Sequence, residues 1–287
     1  MTFEERNVRF SLRKLNISLT ARELIDFIKI AVTNAGFSRA VINVSGGIDS
    51  ATAATLAVAA LGPENVLALL LPYGNWHTQA SALARQLLDG LGVPAEHVIE
   101  MDITPIVDAV LQSVNLQHQH GSEQTAQRQL DTIRIGNVMA RVRMITLFDH
   151  AKKFNALVVG TENKSEYYLG YYTRFGDEAS DIEPLCQLYK TEIYRLAEYL
   201  NVPKAIQAAM PTAGLWQGQT DEGQFGFTYE AADEILYGLY DSQLQSQTLI
   251  EHGLDGKIVD AVETWVKKMA FKHHLPKRAP EPVFASE

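Results

Sequence analysis

A short segment, SGGIDS at 45–50, combines residue types that bind anions. Four mostly apolar residues, 41–44, precede it, and an apolar helical sequence follows. Consecutive glycines let backbone N–H groups approach an anion closely, and the start of the next helix adds partial positive charge. Ser45 and Ser50 can add hydroxyl donors. The segment therefore predicts a phosphate-binding turn between a strand and a helix.

The same turn contains a carboxylate, Asp49, where a phosphate site would be expected to carry a lysine. A carboxylate repels a polyphosphate unless a divalent cation lies between them, and Mg²⁺ commonly takes one or two carboxylates plus phosphate oxygens. We therefore expect the turn to bind a pyrophosphate group and Asp49 to bind its Mg²⁺. The alternative is a simple Gly-Gly turn in which the helix dipole stabilises Asp49. The turn matches neither G-x-x-x-x-G-K-[ST] nor G-x-G-x-x-G.

The elements around this turn alternate between strand and helix. Apolar runs predict strands at 39–44, 65–73, 97–103 and 156–161. Helical periodicity lies between them, and it predicts helices at 19–37, from the turn to about 60, at 78–92, 103–117 and 126–154. Such alternation predicts an α/β fold, a doubly wound parallel sheet with helices on both faces.

The pattern changes after Thr161. The stretch 163–185 is rich in Gly, Tyr and acids, and a long irregular segment in a compact protein is usually functional. Helices are predicted again at about 190–200, 228–240 and 255–271. We see no internal repeat and no linker, so we expect one domain over 1–272, followed by a Pro-rich tail, 273–287.

Composition limits the function classes. The 287 residues carry a net charge of −9, which argues against a general nucleic-acid binder. The one cysteine, Cys186, allows no intramolecular disulfide and is expected to be a packed small residue. No stretch has the length of a membrane span and the N-terminus lacks an apolar signal core, so we expect a cytoplasmic protein.

Four ordered blocks carry a family resemblance. SGGIDS after a strand resembles the pyrophosphate loop of the N-type ATP pyrophosphatases. The stretches 136–144 (GNVMARVRM), 160–185 and 211–233 resemble NAD synthetase, and 188–200 fits between the last two. The resemblance covers about 40–275. It implies the Rossmann-like architecture of the adenine nucleotide alpha hydrolases.

The resemblance also implies an activity. Deamido-NAD would be adenylated by ATP, with release of pyrophosphate, and ammonia would then displace AMP to give NAD. Only about 40 residues precede the loop and they hold no cysteine, whereas glutamine-dependent relatives carry an N-terminal amidase domain. Free ammonia is therefore the expected donor, and a separate glutaminase subunit remains open.

Site residues follow from the resemblance, position by position. Those implied to bind ATP are Asn43, Val44, Ser45, Gly46, Gly47, Ile48, Asp49, Ser50, Thr161, Lys190 and Thr212. Asp49 and Glu166 are implied to share Mg²⁺. Those implied to bind deamido-NAD are Arg141, Arg174, Asp181, Phe271 and Lys272. Arg174 and Phe271 depart from the family, which commonly has lysine and histidine there; His273 or His274 could replace the histidine.

Asp177 is implied to lie near the ammonia site. A carboxylate there would attract ammonium, and it could accept a proton if nearby Glu178 and Asp181 raised its pKa. The alternative is that Asp177 only caps the turn at Gly176.

The predicted helix 126–154 is apolar on two sides and carries Arg134, Arg141 and Arg143. Gly136 and Ala140, four residues apart, would let another helix approach closely. It is either a core helix or, as the family implies, a homodimer interface.

Two other functions remain open: another adenylating enzyme, such as a tRNA modifier, and a non-catalytic nucleotide sensor. His118 and His120, in a Gln-rich loop, are expected to be solvent-exposed rather than metal ligands.

Overall fold

The computed structural model describes residues 10–74, 78–116, 126–216, 218–273 and residue 279. The predictions for His118, His120 and His274, and for most of the tail 273–287, concern residues outside these ranges.

In this part of the chain four parallel strands form one sheet. They are β1 (Ala40–Asn43), β2 (Val66–Leu70), β3 (Val98–Glu100) and β4 (Leu157–Val159), in the order β3-β2-β1-β4. Every pairing is parallel, so the predicted sheet is confirmed. The strands are shorter than predicted because the apolar runs continue into the loops. Ile103, for example, is buried yet lies at the N-cap of the next helix.

The helices are numbered in chain order. They are α1 (Ile17–Asn34), α2 (Ile48–Leu61), α3 (Thr78–Gly90), α4 (Thr104–Ser113), α5 (Ala126–Phe154), α6 (Lys164–Leu169), α7 (Lys190–Tyr199), α8 (Lys204–Gln207), α9 (Asp221–Phe225), α10 (Tyr229–Leu236), α11 (Ser246–Glu251) and α12 (Gly256–Met269). Tyr237–Asp241 continues α10 as a π-helix. None of the helices in the described ranges is long and apolar enough to cross a membrane.

Successive residues of the strands point to opposite faces of the sheet, and both faces are covered. Ile42, Ala68 and Leu70 pack in a cluster with α1, α2, α3 and α7. Val41 and Leu69 pack on the other face with α4 and α5. Burial on both faces explains why the strands are continuously apolar, and it confirms the doubly wound arrangement.

A third apolar cluster is built mainly from residues after Leu169 and includes side chains of α6, α10 and α12. Trp265 of α12 packs edge-on against Phe225 and donates a hydrogen bond from Nε1 to the carbonyl of Leu169 (2.9 Å). This cluster fixes α6 and the start of α7, the two elements that carry Glu166 and Lys190.

Candidate active site

The carboxyl ends of β1, β2 and β4 open into a cavity of about 620 Å³. Its walls include the turn 43–50, one face of α5, residues 159–161, the segment 176–179 and the segment 208–215. In open α/β sheets, ligands bind beyond the carboxyl ends of the strands. The cavity lies at that edge.

The turn after β1 is closely packed. Gly46 has a φ of +86°, and a Cβ at this position would lie 2.3 Å from the carbonyl oxygen of Ala80 in α3. Ser50 Oγ donates to the carbonyl of Gly47 (3.0 Å) and lies 3.0 Å from Ser45 Oγ. The two serines therefore brace the turn itself. The side-chain oxygen of Asn43, at the end of β1, is buried with no partner among the described residues.

Asp49, Glu166 and Lys190 meet at the cavity wall. Lys190 Nζ lies 2.6 Å from Asp49 Oδ2 and 3.1 Å from Glu166 Oε1. Asn163 joins them, because its Nδ2 donates to Asp49 Oδ1 (3.0 Å) while its Oδ1 accepts from the backbone N–H of Glu166 (2.9 Å). The Lys190 side chain is 3% exposed. This cluster places a buried cation beside the turn.

The charges of this cluster shift one another's pKa values. Burial lowers the pKa of Lys190, but the charges of Asp49 and Glu166 outweigh it, so the pKa is raised and the side chain is an ammonium at neutral pH. Burial raises the pKa of Glu166; Lys190 opposes this shift and Asp49 adds to it. Asp221 also lines the cavity, and its pKa is raised, first by burial.

These acids fit a metal only if a ligand brings further oxygens. Among the described residues, no group of three or more His, Cys, Asp or Glu side chains could hold a metal ion. Asp49 and Glu166 converge on one cation, however, and Mg²⁺ bound with a nucleotide needs only one or two carboxylates from the protein. The donor set therefore fits a nucleotide-bound Mg²⁺ and does not fit a metal held by protein alone.

Asp177 lines the cavity, and its Oδ1 accepts a hydrogen bond from the backbone N–H of Thr173 (2.8 Å). Desolvation in the cavity raises the pKa of Asp177, whose side chain still reaches solvent, and hydrogen bonding to Thr173 opposes the shift. The sequence argument considered the charges of Glu178 and Asp181 as the cause of such a shift, but desolvation is the main cause. Asp181 instead accepts from the backbone N–H of Val158 (2.8 Å), beside β4.

The residues predicted for ATP gather at the cavity. Its lining includes the whole turn 43–50 together with Thr161, Lys190 and Thr212. Thr212 Oγ1 accepts from the backbone N–H of Gly214 (3.1 Å), which shapes the segment 208–215 of the cavity wall.

The residues predicted for deamido-NAD, apart from Asp181, gather in a second group that does not line the cavity. Arg141 donates to the carbonyl of Arg174 (3.1 Å), and the Arg174 guanidinium carbon lies 5.5 Å from the ring centre of Phe271. The two departures from the family thus contact each other. Lys272 Nζ donates to the carbonyls of Gly170 (2.6 Å) and Tyr172 (2.5 Å).

Residues of the site that were not predicted include Asn163, Asp221 and Arg143. For Asn163 a signal was present, because N-K-S-E at 163–166 is a capping-box pattern and α6 begins with that box. Asp221 lies in the first turn of α9, a helix of five residues without a periodic signal. Arg143 is on a predicted helix, but the sequence does not show which of its arginines faces the cavity.

A parallel sheet, a glycine turn at the end of its first strand and a carboxylate–lysine cluster facing one cavity define a nucleotide-binding α/β protein. A family model described as NAD synthase matches residues 20–276. The chain belongs to the NAD synthase family, which confirms the resemblance found in the sequence.

Individual relatives agree with this assignment. The chain is 37% identical to an NH(3)-dependent NAD(+) synthetase of Fusobacterium nucleatum subsp. nucleatum over 262 residues, which are 91% of this chain and 95% of that protein. An NH3-dependent NAD synthetase structure from Campylobacter jejuni subsp. jejuni is 32% identical with a TM-score of 0.73, covering 93% of this chain and all of the other. An NMN synthetase structure from Francisella tularensis is 33% identical with a TM-score of 0.77, covering 94% and 100%.

Proposed function

We propose that the chain is a ligase that forms NAD from deamido-NAD, ATP and ammonia, releasing AMP and pyrophosphate. The observation that carries the proposal is the convergence of Asp49, Glu166 and Lys190 on the glycine turn, in the cavity that Asp177 also lines. Family membership supports the same reaction.

The proposed chemistry has two steps. A carboxylate oxygen of deamido-NAD attacks the α-phosphorus of ATP, and the bond between that phosphorus and the bridging oxygen of pyrophosphate breaks. The lone pair of ammonia then attacks the acyl carbon, the bond to AMP breaks, and the nitrogen loses a proton. The backbone N–H groups of the turn bind the departing pyrophosphate, and most of the rate gain comes from positioning and charge neutralisation.

We assign the charged groups as follows. Asp49 and Glu166 would hold Mg²⁺, which when bound neutralises phosphate charge. Lys190, which pairs with both acids, would contact the same phosphates. Asp177, which also lines the cavity, serves ammonia.

The deamido-NAD assignment covers the second group and Asp181. Arg141, Arg174, Phe271 and Lys272 would bind the substrate beside the cavity. The contact between Arg174 and Phe271 supports a joint role, because a ring fixes the plane of the guanidinium through a cation–π contact. Asp181, at the end of the segment 176–181, completes the proposed set.

The direct test is product formation by the purified protein. With ATP, deamido-NAD, ammonium and Mg²⁺, we expect AMP, pyrophosphate and NAD in equal amounts. A control without ammonium should give pyrophosphate–ATP exchange but no NAD. Nucleotide binding without any pyrophosphate release would instead indicate a sensor and would refute the proposal.

A second candidate substrate is the acid form of nicotinamide mononucleotide. The similarity to the Francisella tularensis NMN synthetase, which covers 94% of this chain, supports this second candidate. Both substrates present the same pyridine carboxylate, so the proposed chemistry is unchanged. Comparing kcat/KM for the two acids in the same assay decides between them.

We also propose a cytoplasmic homodimer of single-domain chains. Exposed apolar side chains lie on two neighbouring helices, Ile106 and Val110 on α4 and Leu130, Ile133 and Ile145 on α5. Such a patch is typical of an interface. The small residues expected to admit another helix serve the chain itself, because Gly136 faces Leu215 and Ala140 lines the cavity.

Ile145, with 62% of its surface exposed, is therefore the position to test. Ile145→Glu should convert a dimer to a monomer in sedimentation, whereas Glu251→Gln, on α11, should leave the dimer intact. A wild-type protein that sediments as a monomer would exclude the dimer.

A further inference from the structure

Arg143 is a partly buried residue on the face of α5 that lines the cavity, together with Ala140, Met144 and Leu147. Its Nε donates to the carbonyl of Leu71 (3.1 Å). This is its one hydrogen bond among the described residues. The N–H groups of its two terminal nitrogens are therefore left for a ligand in the cavity.

The state of Arg143 differs from that of Lys190, the other cation that the described part of the chain contributes to the cavity lining. Lys190 is already paired with Asp49 and Glu166. The carboxylate whose charge acts most on Arg143 is Asp177. Burial lowers the pKa of Arg143 to about 10, and Asp177 opposes the shift, so the guanidinium remains charged at neutral pH. Within the described ranges, Arg143 is thus a charged donor with no carboxylate hydrogen-bonded to it.

The anchor of Arg143 fixes its position along the cavity. Leu71 directly follows β2, and β2 pairs with β1, the strand that ends in the glycine turn. Arg143 therefore lies beside the turn and also within the field of Asp177. The proposed reaction places pyrophosphate at the turn and ammonia at Asp177. The α-phosphoryl group must lie between the turn and Asp177. Its bond to pyrophosphate breaks on the side of the turn, and its new bond to the substrate carboxylate, which later reacts with ammonia, forms on the side of Asp177.

We propose that Arg143 is a catalytic residue that donates hydrogen bonds from its two terminal nitrogens to a non-bridging oxygen of the α-phosphoryl group. This assignment rests on the proposed function. The guanidinium keeps its protons in both steps. It stabilises the negative charge on the phosphoryl group while pyrophosphate leaves, and later the charge on AMP while the amide forms. The planar guanidinium suits this role because two of its N–H groups can donate side by side to phosphate oxygens.

The test compares Arg143→Ala, Arg143→Lys and a control, Arg134→Gln. Arg134 lies on the same helix but is half-exposed and pairs with Asp131. Loss of one preorganised donor typically lowers kcat by about 10²–10³. We expect Arg143→Ala to lose about a hundredfold or more in both pyrophosphate–ATP exchange and amidation, with little change in the KM for the acid substrate. Arg143→Lys should recover only part, and Arg134→Gln should match wild type.

Added guanidinium ion should raise the rate of Arg143→Ala, which a purely structural arginine would not allow. Wild-type exchange with impaired amidation, or a change confined to the KM for the acid substrate, would overturn the assignment. If Arg143→Ala does not fold, Arg143→Lys carries the test, and exchange within threefold of wild type would overturn it. Failure of the wild-type protein to form the amide would instead refute the proposed function.

Discussion

Lys190 Nζ lies 2.6 Å from Asp49 Oδ2, although 141 positions separate the two residues in the chain. The contact joins the turn after β1 to the first residue of α7. It resolves the apparent conflict of an acid in a phosphate-binding turn. The positive charge that the turn lacks is supplied from a distant helix, and the acid holds that charge in place.

Asp49→Asn and Glu166→Gln should each abolish adenylation and leave the fold intact. Both acids serve one cation site, so the double variant should lose little more than either single variant. Pyrophosphate–ATP exchange measures the loss, and circular dichroism checks the fold. Strictly additive losses, or near-normal exchange in either variant, would contradict a shared site.

Gly46→Ala should destabilise the protein and weaken ATP binding. Its Cβ would collide with the carbonyl of Ala80, and its φ of +86° is unfavourable for any residue with a side chain. Gly36→Ala is a matched control, because it has a similar φ of +82° and nothing within 4 Å of the added Cβ. In urea unfolding we expect about 1 kcal/mol of loss for Gly36→Ala and clearly more for Gly46→Ala. Equal losses would remove the steric argument.

Asp177→Asn separates charge from turn geometry. The amide oxygen can still accept the hydrogen bond from Thr173, so the turn is kept while the negative charge is lost. We expect slower amidation, a higher ammonium requirement, and partial recovery at high pH, where more free ammonia is present. Pyrophosphate–ATP exchange should change much less. Equal loss of both rates without recovery would leave Asp177 with a structural role only.

Glu162→Gln should stabilise the protein increasingly as pH rises. Burial, followed by the charges of Glu166 and Glu183, raises the pKa of Glu162 from 4.5 to about 10. At pH values between these two pKa values, Glu162 holds a proton in the folded state and releases it in the unfolded state. The stability of the wild-type protein therefore falls as pH rises. The stability gained by Glu162→Gln should therefore grow between pH 5.5 and 8.5, by at most about 1.4 kcal/mol per pH unit.

Urea unfolding at these two pH values measures that gain. Glu96→Gln, at an exposed position, serves as the control and should show no such trend. A gain from Glu162→Gln that does not depend on pH would show that the carboxyl is not held protonated.

Local signals in the sequence were sufficient for the sheet, the turn and the long helices. The turn has adjacent glycines, and α5 has enough residues for its periodicity to place its C-terminal end at Phe154, as predicted. The helices α6, α8, α9 and α11 were missed because each has six residues or fewer, too few for a periodic pattern.

The candidate site was predictable only in part, because its contacts join distant segments. The turn itself indicated Asp49, but Glu166 and Lys190 came from the family resemblance, since no spacing rule links them to the turn. Arg141 and Arg143 lie two residues apart and point to different sides of α5. A helix that is apolar on two sides does not reveal which of them faces a cavity. The contact between Arg174 and Phe271 could not be predicted from the sequence either, because the two residues lie far apart in the chain.

The long sequence separation between Asp49 and Lys190 has a consequence for synthesis on the ribosome. All four strands of the sheet precede Lys190, so a nascent chain can pair its strands before the lysine has been made. At that stage the turn already carries Asp49, but the ammonium group of Lys190 that pairs with it has not yet been made. Long-range contacts of this kind form late in folding. A chain that stops short of α7 can therefore hold the sheet and the glycine turn but cannot carry out adenylation, which ties activity to completion of the C-terminal half.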